Sequence, residues 1–334
     1  MAVHGLACPG RRRALLRGDL PRQGRPVLRC VHAGAGDIPA PGGLRHGLGV
    51  EAQEQEGHSC RVTILHVSDV HFGKPHLPVV TAALLRFVDE RDPEAVVVSG
   101  DLTQRAKVGE YRAARAFLDD LGPRPVVTTA GNHDVPLYRV WERVFAPYRN
   151  YRATIAPELN TVLDIKPRGG GRRLRFVALN SSAPLSAIVN GRLNRRQLDF
   201  AATAFRAAPE GALRVLVVHH NLVMPADGDS APPMRGARRV LNQLGRWSVD
   251  LVLSGHVHRT HLGWSRTGSD ASSDGVPIVL AGTTTSSRGR GSEEGRNSLN
   301  LIRVLASGLE VTAYLYSTEA GEFQPAERRR YYME

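Results

Sequence analysis

The sequence predicts a mixed α/β fold, two β-sheets stacked face to face with helices on the outer faces. Three observations carry this. Between residues 62 and 254, short apolar runs alternate with stretches at helical spacing, the pattern of parallel strands with helices outside. Beyond residue 259 only strand-like segments follow, at about 260–265, 277–282, 299–305 and 309–316, which read as an antiparallel meander. Short motifs of Asp, Asn and His follow five of the apolar runs, so the ends of several strands gather polar groups at one edge.

The elements are read in order. Val62–Val67 is a strand and Pro78–Arg91 an amphipathic helix. Ala95–Ser99, with three consecutive Val, is a second strand. Glu110–Leu121 is a helix with Tyr111, Ala114, Phe117, Leu118 and Leu121 on one face. Pro125–Thr129 is a third strand, and Val140–Tyr151 a helix broken near Pro147. Segments 161–165 and 174–179 form a hairpin around Gly169-Gly170-Gly171. Asn194–Ala207 is a helix with Asn194 as N-cap, because its side-chain oxygen can accept from the first free backbone N–H groups. Leu213–Val218 is a strand, Ala237–Trp247 a helix and Leu251–Ser254 a strand. No internal repeat is visible.

Composition narrows the class. A chain of 334 residues with 42% hydrophobic residues can bury a sizeable core. The net charge of +12 invites a polyanion partner, but Lys occurs only as Lys74, Lys107 and Lys166. The excess is scattered Arg, which reads as compositional bias rather than a binding face, so nucleic acid is not the favoured partner. Cys8, Cys30 and Cys60 are the only cysteines. Any metal beyond residue 60 must therefore take O and N donors. Residues 1–60, rich in Gly, Pro and Arg, are expected to be a disordered or non-native leader. A domain over 61–318 and a tail over 319–334 follow. No membrane span is expected, and Ala14-Leu15-Leu16 is too short for a signal sequence, so the expected location is cytoplasmic.

The motifs read Asp69-Val70-His71, Gly100-Asp101, Gly131-Asn132-His133-Asp134, His219-His220 and Gly255-His256-Val257-His258. In extended chain, residues two apart point the same way, so Asp69 and His71 can reach one ion, and His256 and His258 can both face the same edge. His219 and His220 point to opposite sides of a strand, so one of them is the ligand. Gly100, Gly131 and Gly255 allow sharp turns and a close approach of substrate to the backbone.

The ordered series D-x-H, G-D, G-N-H-D, H and G-H-x-H resembles the calcineurin-like metallophosphoesterase superfamily over about residues 62–285. The resemblance implies a four-layer αββα sandwich. It implies two divalent metal ions, Mn or an Fe/Mn pair first and Zn next, attacking a small phosphoester substrate through a hydroxide made available between them. Asp69, His71, Asp101 and His258 would hold one ion. Asp101, Asn132, His219 and His256 would hold the other, with Asp101 shared. His133 would serve the leaving group and Asp134 would orient it. Relatives place the ligand at the first His of the pair, hence His219, although Asn221 stands where Pro is usual. His66 through Gly73, Leu102-Thr103-Gln104, Glu110-Tyr111 and Gly191-Arg192-Leu193 further resemble class III cyclic-nucleotide phosphodiesterases, which makes cyclic AMP a candidate substrate. A DNA-repair-type nuclease and a non-enzymatic scaffold of the same fold are the alternatives. Residues 223–238 are expected as a lid, Arg288 and Arg290 as exposed loop residues, and Trp141, Trp247 and Trp264 as packing residues.

Overall fold

The computed structural model describes residues 62–186, 189–225, 231–265 and 275–333. All of them fall in one compact unit, residues 56–334. The expected leader over 1–60 lies outside the described residues.

β1 (Val62–Val67), β2 (Ala95–Val98) and β3 (Val126–Thr128) are linked by α1 (Pro78–Arg91) and α2 (Val108–Asp120). Then come α3 (Val140–Phe145) and α4 (Arg149–Thr154), which are separate helices on either side of Pro147. β4 (Thr161–Ile165) and β5 (Leu174–Leu179) pair antiparallel as the expected hairpin. α5 (Arg195–Arg206), β6 (Leu213–Val218), α6 (Ala237–Leu244), β7 (Leu251–Ser254), β8 (His261–Trp264) and β9 (Pro277–Leu280) follow. The chain ends with β10 (Ser298–Leu305), β11 (Gly308–Ser317) and β12 (Glu322–Tyr332). Asn194 caps α5 by accepting from the Gln197 backbone N–H at 3.1 Å.

Two six-stranded mixed sheets result, ordered β12-β11-β10-β1-β2-β3 and β4-β5-β6-β7-β9-β8. The central strands are largely apolar, β2 throughout, because both faces are covered. Ile64, Val97, Phe176, Val215, Leu253 and Ile302 meet between the sheets. Their alternate neighbours Leu65, Val67, Val96 and Val98 turn outward onto Leu84, Phe87, Tyr111 and Phe117 of α1 and α2. On the second sheet Val177, Leu216, Val218 and Val252 turn onto Phe205, Val240 and Leu244 of α5 and α6. Helix, sheet, sheet, helix is the four-layer arrangement that the sequence predicts.

Two expectations are corrected. The strands after residue 259 are not one antiparallel meander. β9 pairs parallel with β7, and β8 sits outside it as an antiparallel edge strand. Only β10, β11 and β12 form a meander, and they complete the first sheet. Residues 319–334, expected as a tail, supply β12, which pairs with β11 from Ser317↔Glu322 to Gly308↔Tyr332.

Candidate metal centre

All five motifs lie just beyond the C-terminal ends of β1, β2, β3, β6 and β7, each of which pairs parallel with another of the five, so their side chains meet at one rim. The backbone that brings them together is not extended. Asp69, His71, Asp101, His256 and His258 all have positive φ, between 47° and 73°. Non-glycine residues seldom adopt this left-handed region, which costs them of order 1–3 kcal/mol each. Asp69 and His71 therefore meet in one cluster through a turn rather than by strand alternation, while His256 and His258 part, His258 grouping with Asp69 and His256 with His219. The glycines beside them leave room for motif side chains, and Gly100, with φ of 102°, also makes the sharp turn expected of it. A Cβ on Gly131 would stand 2.1 Å from Asp101 Oδ1, and one on Gly255 would stand 2.6 Å from Asp69 Oδ2.

Asp69, His71, Asp101 and His258 form one buried group whose ligand atoms lie within 4.8 Å of one another. His71 Nε2 is 3.6 Å from Asp69 Oδ1 and 3.7 Å from Asp101 Oδ2, and His258 Nε2 is 3.4 Å from Asp69 Oδ1. The same Asp101 Oδ2 is 3.4 Å from His219 Nε2. Asn132 Oδ1 lies 3.2 Å from His219 Nε2 and 3.0 Å from His256 Nδ1. Asp101 thus stands between two clusters, each able to hold a divalent cation.

The fit of cations is visible in the unsatisfied atoms. Asp69 Oδ1, His71 Nε2, Asp101 Oδ2 and His256 Nε2 are buried with no hydrogen-bond partner among the described residues. Leaving one such atom unpaired costs about 1–3 kcal/mol, more for a charged group, so the convergence of Asp69 Oδ1 and Asp101 Oδ2 on His71 Nε2 calls for a shared positive charge. Burial would raise the Asp69 carboxyl, but His258 and His71 overcome it and hold it low. Burial opposes the charge of Asp101 too, and His219 and His133 hold it well below the usual carboxylate range. At His219 burial is outweighed by Asp101, which pushes the imidazole up to about 9, so the local field favours a cation there. Burial lowers His256 to about 4 and His258 to about 3, leaving both neutral as ligands must be.

Several groups orient these rings. His219 Nδ1 donates to the Ser99 carbonyl at 2.8 Å, which turns Nε2 toward Asp101. His258 Nδ1 pairs with Thr283 Oγ1 at 2.8 Å. Such outer partners fix ring orientation and basicity. His220 is anchored differently, with Nδ1 2.8 Å from Ser181 Oγ, and its ring lies 4.6 Å from that of His256. His220 also groups geometrically with His219 and His256. His219, not His220, faces Asp101 and Asn132.

His133 Nδ1 donates to the Gln104 carbonyl at 2.8 Å, which leaves Nε2 free on the cleft side. The expected orienting contact from Asp134 is absent among the described residues. Asp134 instead accepts from the N–H groups of Leu102, Thr103 and Gly131 and from Thr103 Oγ1, at 2.9–3.1 Å. It ties the Asp101 loop to the Asn132 loop. Burial and the nearby Asp101 push its carboxyl up to about 6, against the pull of these donors.

Asn132, His133, His256 and His258 open onto a cleft of about 320 Å³, which Gln104 and Arg288 also line. A larger cavity, about 740 Å³, lies beside Asn160, Asn180 and Gln197 and holds none of the motif residues, so volume alone does not find the chemistry. Residues 226–230 of the expected lid lie outside the described residues. Asn221, where Pro is usual in relatives, braces the rest of that loop, with Nδ2 donating to the Val223 and Ala231 carbonyls at 3.0 and 3.1 Å. Trp247 is buried as expected and Trp264 packs partly against the core between the sheets, but Trp141 is 77% exposed and stacks only on Phe145, at 5.8 Å. The roles of Ser99 and Thr283 as ring partners escaped sequence reasoning, and Gln104 entered it only as part of the Leu102-Thr103-Gln104 resemblance. Ser99 and Thr283 each carried a signal, because both follow a short apolar strand as the five motifs do.

A calcineurin-like phosphoesterase family profile matches residues 62–260. The chain belongs to that family. Among relatives, this calcineurin-like phosphoesterase is 26% identical over 185 residues to a probable cyclic nucleotide phosphodiesterase of Synechococcus, covering 54% of this chain and 64% of that protein. It is 24% identical over 264 residues to a cAMP/cGMP dual specificity phosphodiesterase of Mycobacterium tuberculosis, covering 72% and 75%. Two solved structures share the fold. They are a purple acid phosphatase from yellow lupin seeds (TM-score 0.56, 13% identity, 82% of this chain and 54% of that one) and a dimetal phosphatase from Danio rerio (TM-score 0.53, 13% identity, 81% and 98%). Among the described residues, no helix of this phosphoesterase is long and apolar enough to cross a membrane.

Proposed function

We propose that the protein is a phosphodiesterase that hydrolyses small nucleotide-like diesters, cyclic AMP among them, with two divalent ions, Mn(II) or an Fe/Mn pair before Zn. The observation that carries this reading is Asp101, whose Oδ2 lies within 3.7 Å of His71 Nε2 and 3.4 Å of His219 Nε2, so one carboxylate serves both clusters. Bound there, two divalent ions supply Lewis acidity toward phosphoryl oxygens and acidify water. Asp69, His71, Asp101 and His258 would hold one, and Asp101, Asn132, His219 and His256 the other.

The chain's own groups do the rest. Asn132 engages His219 and His256 through Oδ1, and its Nδ2, without a partner among the described residues, is available to a phosphoryl oxygen. His133, held by the Gln104 carbonyl, presents Nε2 to the cleft to protonate the departing ester oxygen. Asp134 keeps the two loops in register, so that Asp101 and His133 stay aligned. The names of both curated relatives support the diester preference.

The test is a panel of bis-p-nitrophenyl phosphate, cyclic AMP, a nucleotide sugar lipid analogue and linear DNA, each with Mn(II). Turnover of the first two, lost in Asp101→Ala and Asn132→Ala, is the expected result. Turnover confined to DNA, or none with any divalent ion, overturns the proposal.

A further inference from the structure

Arg288 is left over by the chemistry above. Far from being an exposed loop residue, it is half-buried and lines the cleft with Asn132, His133, His256 and His258. Its one hydrogen bond runs from Nη1 to Gln104 Oε1 at 3.2 Å, and among the described residues no carboxylate pairs with it. Burial lowers its pKa, against the raising influence of Asp101 and Asp69. A guanidinium drawn partly out of water without a counter-ion is unfavourable, and an arriving anion removes that penalty.

The backbone around it is pinned. Ser287 N–H donates to the Pro75 carbonyl at 2.9 Å, Arg290 N–H to the His258 carbonyl at 3.1 Å, and Asn297 Nδ2 to the Ser286 carbonyl at 2.8 Å. A Cβ on the intervening Gly289 would stand 2.1 Å from the Glu293 carbonyl oxygen. The guanidinium is therefore carried on a fixed platform. It is tied to Gln104, the residue whose carbonyl orients His133, which puts it on the side of the cleft where the ester oxygen leaves.

We propose that Arg288 is a specificity-determining residue that clamps a phosphate oxygen of the substrate beside His133. This rests on the phosphoesterase reading of the metal centre. The planar fork of the guanidinium matches two oxygens of one phosphate, which a point charge cannot do equally well. The oxygen belongs either to the scissile phosphoryl group or to a second phosphate on the same molecule.

The experiment compares wild type, Arg288→Met and Arg288→Lys, loaded with Mn(II), on bis-p-nitrophenyl phosphate, on the dinucleotide ApA and on its 5′-phosphorylated form. Inorganic phosphate binding is measured alongside by calorimetry. The methionine variant is expected to fold normally and to raise KM about tenfold to a hundredfold, the worth of one or two charge-assisted hydrogen bonds, with kcat within about threefold. Lysine should recover part of the loss. A rise on all substrates assigns the clamp to the scissile phosphoryl group, and a rise on the phosphorylated dinucleotide alone assigns it to a second phosphate. Phosphate affinity and KM both within about twofold of wild type in Arg288→Met overturn the proposal. Absence of wild-type turnover would instead sink the phosphoesterase reading, and the phosphate affinities would still decide the role of Arg288.

Discussion

Replacing Gly131 by Ala adds a single methyl group where the two clusters join. The φ of Gly131 is not in the left-handed region, so the backbone accepts alanine and the added carbon is the whole perturbation. That carbon would sit 2.1 Å from Asp101 Oδ1, 2.4 Å from Asp101 N and 2.7 Å from Asp101 Cγ, where 3.4–4 Å is ordinary contact. Asp101 must retreat by more than an ångström. Its Oδ1 also accepts the His133 N–H at 2.8 Å, so the proton donor shifts with it. Overpacking of this kind costs about 1–3 kcal/mol of stability, which a core of this size withstands. A misplacement of about 1 Å at reacting groups costs on the order of a hundredfold in rate. The assay is release of p-nitrophenolate from bis-p-nitrophenyl phosphate with Mn(II), beside a thermal melt and the bound-metal content. Gly109→Ala is the control, because a Cβ there meets nothing within 4 Å. A folded Gly131→Ala protein with wild-type kcat/KM would refute the placement of Asp101 between the clusters.

Other outcomes follow from particular contacts. Thr283→Val removes the partner of His258 Nδ1 and should weaken metal binding about tenfold to a hundredfold with little change in the apo melt, read by titration with a metal-chelating dye. Asp134→Asn puts an amide where four donors converge and should cost about 2–4 kcal/mol, seen in urea denaturation, with lower kcat as the two loops lose register. At Glu310 burial would raise the carboxyl, but Arg330, Arg328 and Arg303 hold it below its ordinary value. Its contribution, about 1 kcal/mol, is therefore present at neutral pH and is lost as pH falls through the depressed folded pKa. Glu310→Gln should flatten the stability profile on the acid side, and an unaltered profile would contradict this.

Much of this molecule is legible in its sequence because its central strands are buried on both faces. The runs at Ala95–Val98 and Leu213–Val218 need no alternation to be recognised, and the polar motif after each names the working edge. β12 was missed for the opposite reason. Of its eleven residues only Phe323 and Tyr331 are buried, so it carries no apolar period and exists because β11 offers it a ten-residue partner. The parallel pairing of β9 with β7 was hidden because strands of four residues reveal nothing of direction. The Asp and His residues that cluster at the rim were legible by residue type, but the left-handed turns of Asp69, His71, Asp101, His256 and His258 were not, since Asp and His rarely adopt them. The orienting contact to His133 comes from a backbone carbonyl, which every residue possesses and no sequence pattern marks.

The outermost strand of the first sheet has a bearing on the behaviour of the protein in a crowded solution. Glu327, Arg328, Arg329 and Arg330 project along it, Pro325 interrupts its donors, and the pairing slips at Ala313/Tyr314. A neighbouring molecule that tried to extend the sheet would meet like charges and a missing N–H. Loss of this strand would uncover Leu309, Val311 and Ala313 on a long ribbon with unsatisfied backbone groups, a template for self-association. The arginine-rich border therefore opposes strand-to-strand joining of neighbouring copies, although it stands apart from the rim that carries the Asp and His clusters.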